Sequence, residues 1–256
     1  MARLLFSFMG GKLTVFGSSS QGNCYLIEAD GEMLMIEAGV DLSAVKEYLK
    51  WDFSALRGCF ISHTHGDHAS RLKDALFYGV PCFALPYVFE DRGLQGHPLS
   101  HPIKQLHGYK TGGFKVFTVP VVHDVPCLAF LIEHPAIGKL FFITDTMMLE
   151  YSLPKVNHYL IEANYSDAIL KRNIDNGVVP AAMKSRLMQS HMELNTTKGI
   201  LLTNDLSDVE DIVLIHLSDT NSDERAFIAE IESATGKPTY AARRGFELNL
   251  EIHQSY

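Results

Sequence analysis

The sequence predicts an α/β protein in which two packed β-sheets lie between helical layers. Three observations carry this. Short apolar runs of strand length alternate with amphipathic stretches of helix length, the alternation occurs in two successive halves, and no linker, solenoid period or low-complexity tract interrupts it. Residues 1–256 are therefore taken as a single unit.

Taken in order, Leu13–Phe16, Cys24–Glu28 and Met33–Glu37 have the β-branched and apolar content of strands, and Asp30-Gly31 between the last two is a hairpin turn signal. A helix from about Leu42 to Lys50 precedes the apolar run Gly58–Ser62, which has the length of a buried strand. A second amphipathic stretch follows with Ala69, Leu72 and Leu76 on one face. The glycine-rich segment Gly93–Gly113, with His97, His101 and His107, is expected to be a surface loop carrying solvent-facing histidines. Further strands are predicted at Phe114–Val119, Leu128–Glu133, Leu140–Thr144, Tyr159–Glu162 and Ile212–Leu217. Helices are predicted at Ser166–Asn176, Thr196–Asn204 and Asp223–Thr235, and strands at Thr239–Ala241 and Glu247–Ile252 close the chain.

Composition sets limits on function. The chain has 256 residues, of which 46% are hydrophobic, enough for a sizeable core. A formal net charge of −8 gives no global positive field for nucleic acid, so a polyanion would have to be held by a local patch or by metals. Four widely spaced cysteines, Cys24, Cys59, Cys82 and Cys127, form no CxxC pair and imply reduced, buried thiols and a cytoplasmic location. No run reaches the roughly 20 apolar residues of a membrane span. Met1–Met9 is only faintly leader-like: its apolar core of about six residues is below the usual 7–15, and Gly10-Gly11 runs into a strand without a cleavage pattern.

The most informative motif is His63-Thr64-His65-Gly66-Asp67-His68, placed directly after the apolar run. On an extended chain His63 and His65 point the same way and can grip one cation. Gly66 lets the chain turn, and Asp67 and His68 then aim at a second point. Two such aims predict two metals, which in sites of this kind sit roughly 3.5–4 Å apart. The remaining ligands are sought at the ends of apolar runs, where a sheet opens into a cleft. His123 ends Phe117–Val122, Asp145 ends Leu140–Thr144 and His216 ends Ile212–Ile215. The expected set is His63, His65 and His123 on one metal, Asp67, His68 and His216 on the other, and Asp145 bridging them. Zinc and manganese both suit such donors.

In their order these residues resemble the HxHxDH loop, later His, bridging Asp and final His of the metallo-β-lactamase superfamily. The resemblance spans Gly17 to Leu250 and implies an αββα sandwich of two mixed sheets flanked by helices. His65 in place of Glu argues against the oxygen-reducing di-iron branch, and Asp145 argues against antibiotic hydrolysis. The span between Asp145 and His216 is too short for the inserted nucleic-acid domain of the ribonuclease J branch. Gly17-Ser18-Ser19-Ser20-Gln21-Gly22-Asn23 resembles the opening of the YycJ-like hydrolases, a branch associated with exonuclease action on DNA. So do Glu162-Ala163-Asn164-Tyr165, Pro180, Lys184, Arg186, His191, His216-Leu217-Ser218 and Asn221. The chain departs from that branch at Glu37, Ser190, Glu193 and Ser222-Asp223. Glu162 and His191 also resemble a Glu–His pair of the ribonuclease Z enzymes, which implies that they would help to protonate the leaving oxygen.

The implied activity is a dinuclear-metal hydrolase, foremost a phosphodiesterase or nuclease acting on DNA. A divalent cation lowers the pKa of bound water to about 7, so a metal-bridging hydroxide is available at neutral pH. Asp67 would orient it and take its proton, and His191, oriented by Glu162, would serve as the acid. Lys171, Arg172, Lys184, Arg186 and Lys198 make the region around the proposed acid locally basic, a candidate rim for phosphates. The alternative is a small-molecule hydrolase of thioester or lactone bonds, which needs the same seven ligands but neither Glu162 nor His191.

Overall fold

The structure, a computed structural model, describes residues 10–253; the leader expectation for Met1–Met9 falls outside them. Fourteen strands and eight helices are formed among the described residues. The first half contains Gly11–Ser19 (β1), Gly22–Ala29 (β2), Glu32–Ile36 (β3), Leu56–Phe60 (β4), Cys82–Ala84 (β5), Ser100–Pro102 (β6) and Gly108–Thr111 (β7). The second contains Phe114–Val121 (β8), Cys127–His134 (β9), Gly138–Ile143 (β10), His158–Glu162 (β11), Asp211–Ile215 (β12), Thr239–Ala241 (β13) and Glu247–Leu250 (β14). The helices are Ser43–Tyr48 (α1), Gly66–Ala69 (α2), Leu72–Phe77 (α3), Pro86–Asp91 (α4), Asp167–Asp175 (α5), Ala182–Ser190 (α6), Leu194–Thr203 (α7) and Glu224–Thr235 (α8).

Two seven-stranded mixed sheets result, ordered β14-β1-β2-β3-β4-β5-β6 and β13-β12-β11-β10-β9-β8-β7. The architecture is the metallo-β-lactamase fold, as expected. In each sheet an antiparallel half meets a parallel half, with β3–β4–β5–β6 parallel in one and β10–β11–β12–β13 in the other. The parallel strands β11 and β12 are buried along their whole length, which their unbroken apolar runs require. Strand β8 instead alternates, with Phe114 and Val116 inward and Lys115 and Phe117 outward.

The main core lies between the sheets. Tyr25 meets Phe142 edge-on at 5.3 Å, and Phe60 meets Phe130 at 5.6 Å. A second apolar cluster, including Tyr159, Leu201, Leu214, Phe227 and Ile231, joins α7 and α8 to strands of the second sheet.

Three expectations need correction. Gly93–Gly113 is not a loop throughout, since β6 and β7 lie within it. Both are short and largely exposed, so backbone pairing with β5 and β8 forms them rather than an apolar pattern. Helix α6 was not predicted, because its only buried residue is Ser190 and it carries no apolar stripe. The strand expected over Ile212–Leu217 stops at Ile215, where His216 takes a left-handed backbone conformation (φ 54°). Among the described residues no helix is long and apolar enough to cross a membrane.

Candidate metal centre

Every residue proposed as a ligand lies just beyond the C-terminal end of a strand. The His63–His68 motif follows β4, His123 follows β8, Asp145 follows β10 and His216 follows β12. Glu37, Asp145 and His216 all have positive φ, at 65°, 42° and 54°. Non-glycine residues adopt that region at a cost of order 1–3 kcal/mol, and such residues cluster at functional sites. Gly39 packs against the motif so closely that a Cβ there would lie 1.6 Å from the Asp67 carbonyl oxygen. Only glycine fits beside α2 at that position.

The side chains gather into two adjoining groups. One ligand-type atom from each of His63, His65, His123 and Asp145 falls within 4.8 Å of the others, and so does one from each of Asp67, His68, Asp145 and His216. In the first group His63 Nε2 lies 3.0 Å from His65 Nδ1, and His123 Nε2 lies 3.3 Å from the same atom. In the second, Asp67 Oδ2 is 3.3 Å from both His68 Nε2 and His216 Nε2. Asp145 belongs to both, with Oδ1 3.2 Å from His68 Nε2 and Oδ2 3.9 Å from His63 Nε2.

The donor set fits divalent cations. His123 donates through Nδ1 to the Ser190 carbonyl at 3.0 Å, which leaves the lone pair of Nε2 facing the cluster. Burial, then the charge of His68, pushes the His63 imidazole well below its usual pKa, so it too faces the cluster neutral. Imidazole nitrogens that face one another at such distances need a proton or a cation between them. Three imidazoles and a carboxylate are an ordinary donor set for zinc and related ions. In the second group burial disfavours the ionised Asp67, but hydrogen bonds with His216 and His68 outweigh it and hold the carboxyl well below the usual range. Burial likewise lowers His216, but Asp145 and the contacts with Asp67 and Glu162 raise its pKa to about 10. Without a cation this group thus pairs ionised carboxylates with protonated imidazoles.

A third group adjoins these. Glu162, the last residue of β11, is fully buried, and its Oε1 lies 2.7 Å from His191 Nδ1 and 3.4 Å from His216 Nδ1. Its Oε2 accepts from the backbone N–H groups of Thr146 and Met192 at 3.1 and 3.2 Å. Burial lowers the His191 pKa, but the Glu162 charge and hydrogen bond raise it above the ordinary value. His191 sits at the C-terminal end of α6, and it is Glu193 that caps α7.

The protein is similar over 93% of its length to the metallo-β-lactamase fold protein YhfI of Bacillus subtilis, with a TM-score of 0.74, 15% identity and 98% of that chain covered. In sequence it is 23% identical to the exodeoxyribonuclease YycJ of Bacillus anthracis across 94% of this chain and 95% of the relative. The chain has the metallo-β-lactamase fold. Its likeness to YycJ runs over nearly the full length of both chains, in keeping with the resemblance of the loop residues. A ribonuclease Z of Azobacteroides pseudotrichonymphae genomovar. CFP2 is 29% identical over 44% of this chain and 46% of that enzyme. Residues 6–80 also match the family model of the anti-Pycsar protein Apyc1.

Sequence reasoning gave no site role to several residues that touch these groups. Asp124, half exposed, places Oδ1 3.0 Å from His123 Nε2 and 3.5 Å from His65 Nε2. It directly follows His123, and that adjacency was the one available signal. Glu37 lies 3.4 Å from His68 Nδ1, Asn23 lies 3.2 Å from His68 Nε2, and Asn164 lies 3.1 Å from His216 Nδ1. Glu37 and Asn164 each steer an imidazole from behind, a tertiary relation without local pattern. His97, His101 and His107 join none of the three groups; His101 stacks on Phe83 at 4.9 Å. Of the basic residues, Lys171 pairs with Asp175 at 2.6 Å and Lys198 pairs with Glu230.

Proposed function

We propose that the protein is a divalent-metal-dependent phosphodiesterase that hydrolyses nucleic acid, foremost DNA. The observation that carries this reading is the Glu162–His191 contact of 2.7 Å beside Asp145 and His216, because an acyl hydrolase on the same ligands has no need of it. Relatives named exodeoxyribonuclease and ribonuclease Z support the same substrate class.

Two ions, zinc or manganese, would be held by His63, His65 and His123 and by Asp67, His68 and His216, with Asp145 between them. When bound they supply an acidified water and neutralise charge on phosphoryl oxygens. The chain does the rest. Asp67 would orient the attacking water and take its proton. His191, with Nδ1 engaged by Glu162, keeps Nε2 free to give a proton to the leaving alkoxide, and the Glu162 charge raises its pKa and so favours the protonated form. Glu162 fixes both the ring orientation and the charge of that acid.

Since Lys171 and Lys198 are paired, Arg172, Lys184 and Arg186 carry most of the proposed phosphate rim, the last two on α6, which delivers His191. Four buried, unpaired thiols favour a reducing, cytoplasmic setting.

The test is turnover of end-labelled single-stranded and duplex DNA by zinc- or manganese-loaded protein. Metal-dependent nucleotide release is expected, absent in Asp67→Ala and reduced about 100-fold in His191→Ala with metal content retained. A His191→Ala rate equal to wild type would remove the acid assignment. Intact DNA alongside hydrolysis of a thioester or lactone would move the reading to the acyl hydrolase.

A further inference from the structure

Beside the metal centre lies an open groove of about 860 Å³, within the range of small-ligand sites. Its walls continue the segments that carry the proposed ligands. Ser70 and Arg71 follow His68 in the chain, Leu217 and Ser218 follow His216, and Gly39 abuts the Asp67 carbonyl. The floor is the Gly17–Gly22 turn, where the Ser18 hydroxyl accepts the backbone N–H of His216 at 3.0 Å. None of the lining residues comes from the 171–198 segment.

The far wall is Arg243-Arg244, in the turn between β13 and β14. Both are exposed, and neither has an ion-pair partner among the described residues. Arg71 has only a half-exposed contact with Asp74 at 3.7 Å, worth little in water. Three carboxylates also line the groove, but each has a local role. Asp41 Oδ1 accepts the Ser43 N–H at 2.8 Å, Asp219 accepts from Gln21 at 3.4 Å, and Glu224 lies in the first turn of α8, where the helix dipole favours it. The groove therefore presents two unpaired guanidiniums, a third with only a weak exposed partner, and serine hydroxyls, the donors that grip phosphodiester oxygens.

From this geometry we infer that the Arg71, Arg243 and Arg244 groove holds the phosphodiester backbone of a nucleic-acid strand flanking the scissile phosphate, a second anionic contact surface apart from the 171–198 segment. The inference rests on the phosphodiesterase reading for its occupant, and the test separates the two. Affinity for a fluorescein-labelled, phosphorothioate-linked single-stranded 12-mer would be measured by anisotropy over a salt series with metal-loaded wild type, Arg243→Ala/Arg244→Ala, and Lys104→Ala/Lys110→Ala as a charge-matched control elsewhere. The arginine variant is expected to bind about 10-fold more weakly, with a salt slope smaller by about 1 and an unchanged melting midpoint and metal content. The control is expected to match wild type. Equal binding by wild type and the arginine variant, or equal losses in both variants, would overturn the groove. Wild-type turnover of bis(p-nitrophenyl) phosphate is measured separately: its absence together with selective loss of 12-mer binding would leave the groove standing and overturn the phosphodiesterase reading.

Discussion

At the scale of single residues, the candidate centre divides by charge. His63 and His123 are held neutral by burial, whereas His68 and His216 are raised by Asp145 and their other carboxylate neighbours in spite of burial. A cation entering between neutral imidazoles displaces no proton, and one entering between Asp67, His68 and His216 must displace at least one. With His216 near 10, that group stays protonated across the neutral range, so its metal affinity rises with pH, about tenfold per unit for each proton released. The group built on His63 and His123 should fill with little pH dependence between 7 and 9. Calorimetric zinc titrations in buffers of different ionisation enthalpy check this. Two sites with the same proton release would refute the division.

The elements matter because they end in the right places. Strands β4, β8, β10 and β12 each stop one to a few residues short of a ligand, and the left-handed backbone at Asp145 and His216 turns the chain at the strand end. The motif helix α2 is clamped from below: the Ala38 N–H donates to the His68 carbonyl at 2.8 Å, and Gly39 leaves no room for a side chain against Asp67. Gly39→Ala should thus push α2 outward, costing about 1–3 kcal/mol as overpacking does, and lowering metal content more than a surface change of equal thermal effect. Melting curves together with elemental analysis measure both. Full metal occupancy in a folded Gly39→Ala protein would show that the contact does not position the site.

Across the whole molecule, the centre ties the two sheets together. The His63–His68 motif belongs to the first sheet and His123, Asp145 and His216 to the second, so each proposed cation bridges them. Ligands that bind only the folded state stabilise it by mass action, by about 2.7 kcal/mol at a hundredfold excess over the dissociation constant. For a chain of this size that corresponds to roughly 5–10 °C. Chelation should lower the melting midpoint by about that amount, and readdition of zinc should restore it. In Asp145→Asn, which weakens both groups, the chelator-dependent shift should shrink; a shift of wild-type size would argue against Asp145 as the shared ligand.

The sequence by itself determined the seven proposed ligands and most of the strands, because both leave local marks: donors at strand ends and apolar runs of fixed length. It also held Glu162 and His191, though only through resemblance, since residues 29 apart in the chain share no local pattern. Tertiary structure alone decided which nitrogen of each histidine faces the cluster, set by distant partners such as Ser190, Asn164 and Glu37. It likewise formed β6, β7 and α6, whose exposed faces carry no hydrophobic period. Folding also paired Lys198 with Glu230 and set Arg243-Arg244 beside the ligand-bearing loops, where neither guanidinium has such a partner among the described residues. The physical reason is common to all of these: a hydrogen bond or ion pair between distant segments exists only once the chain has folded, whereas strand length and ligand type are properties of neighbouring residues.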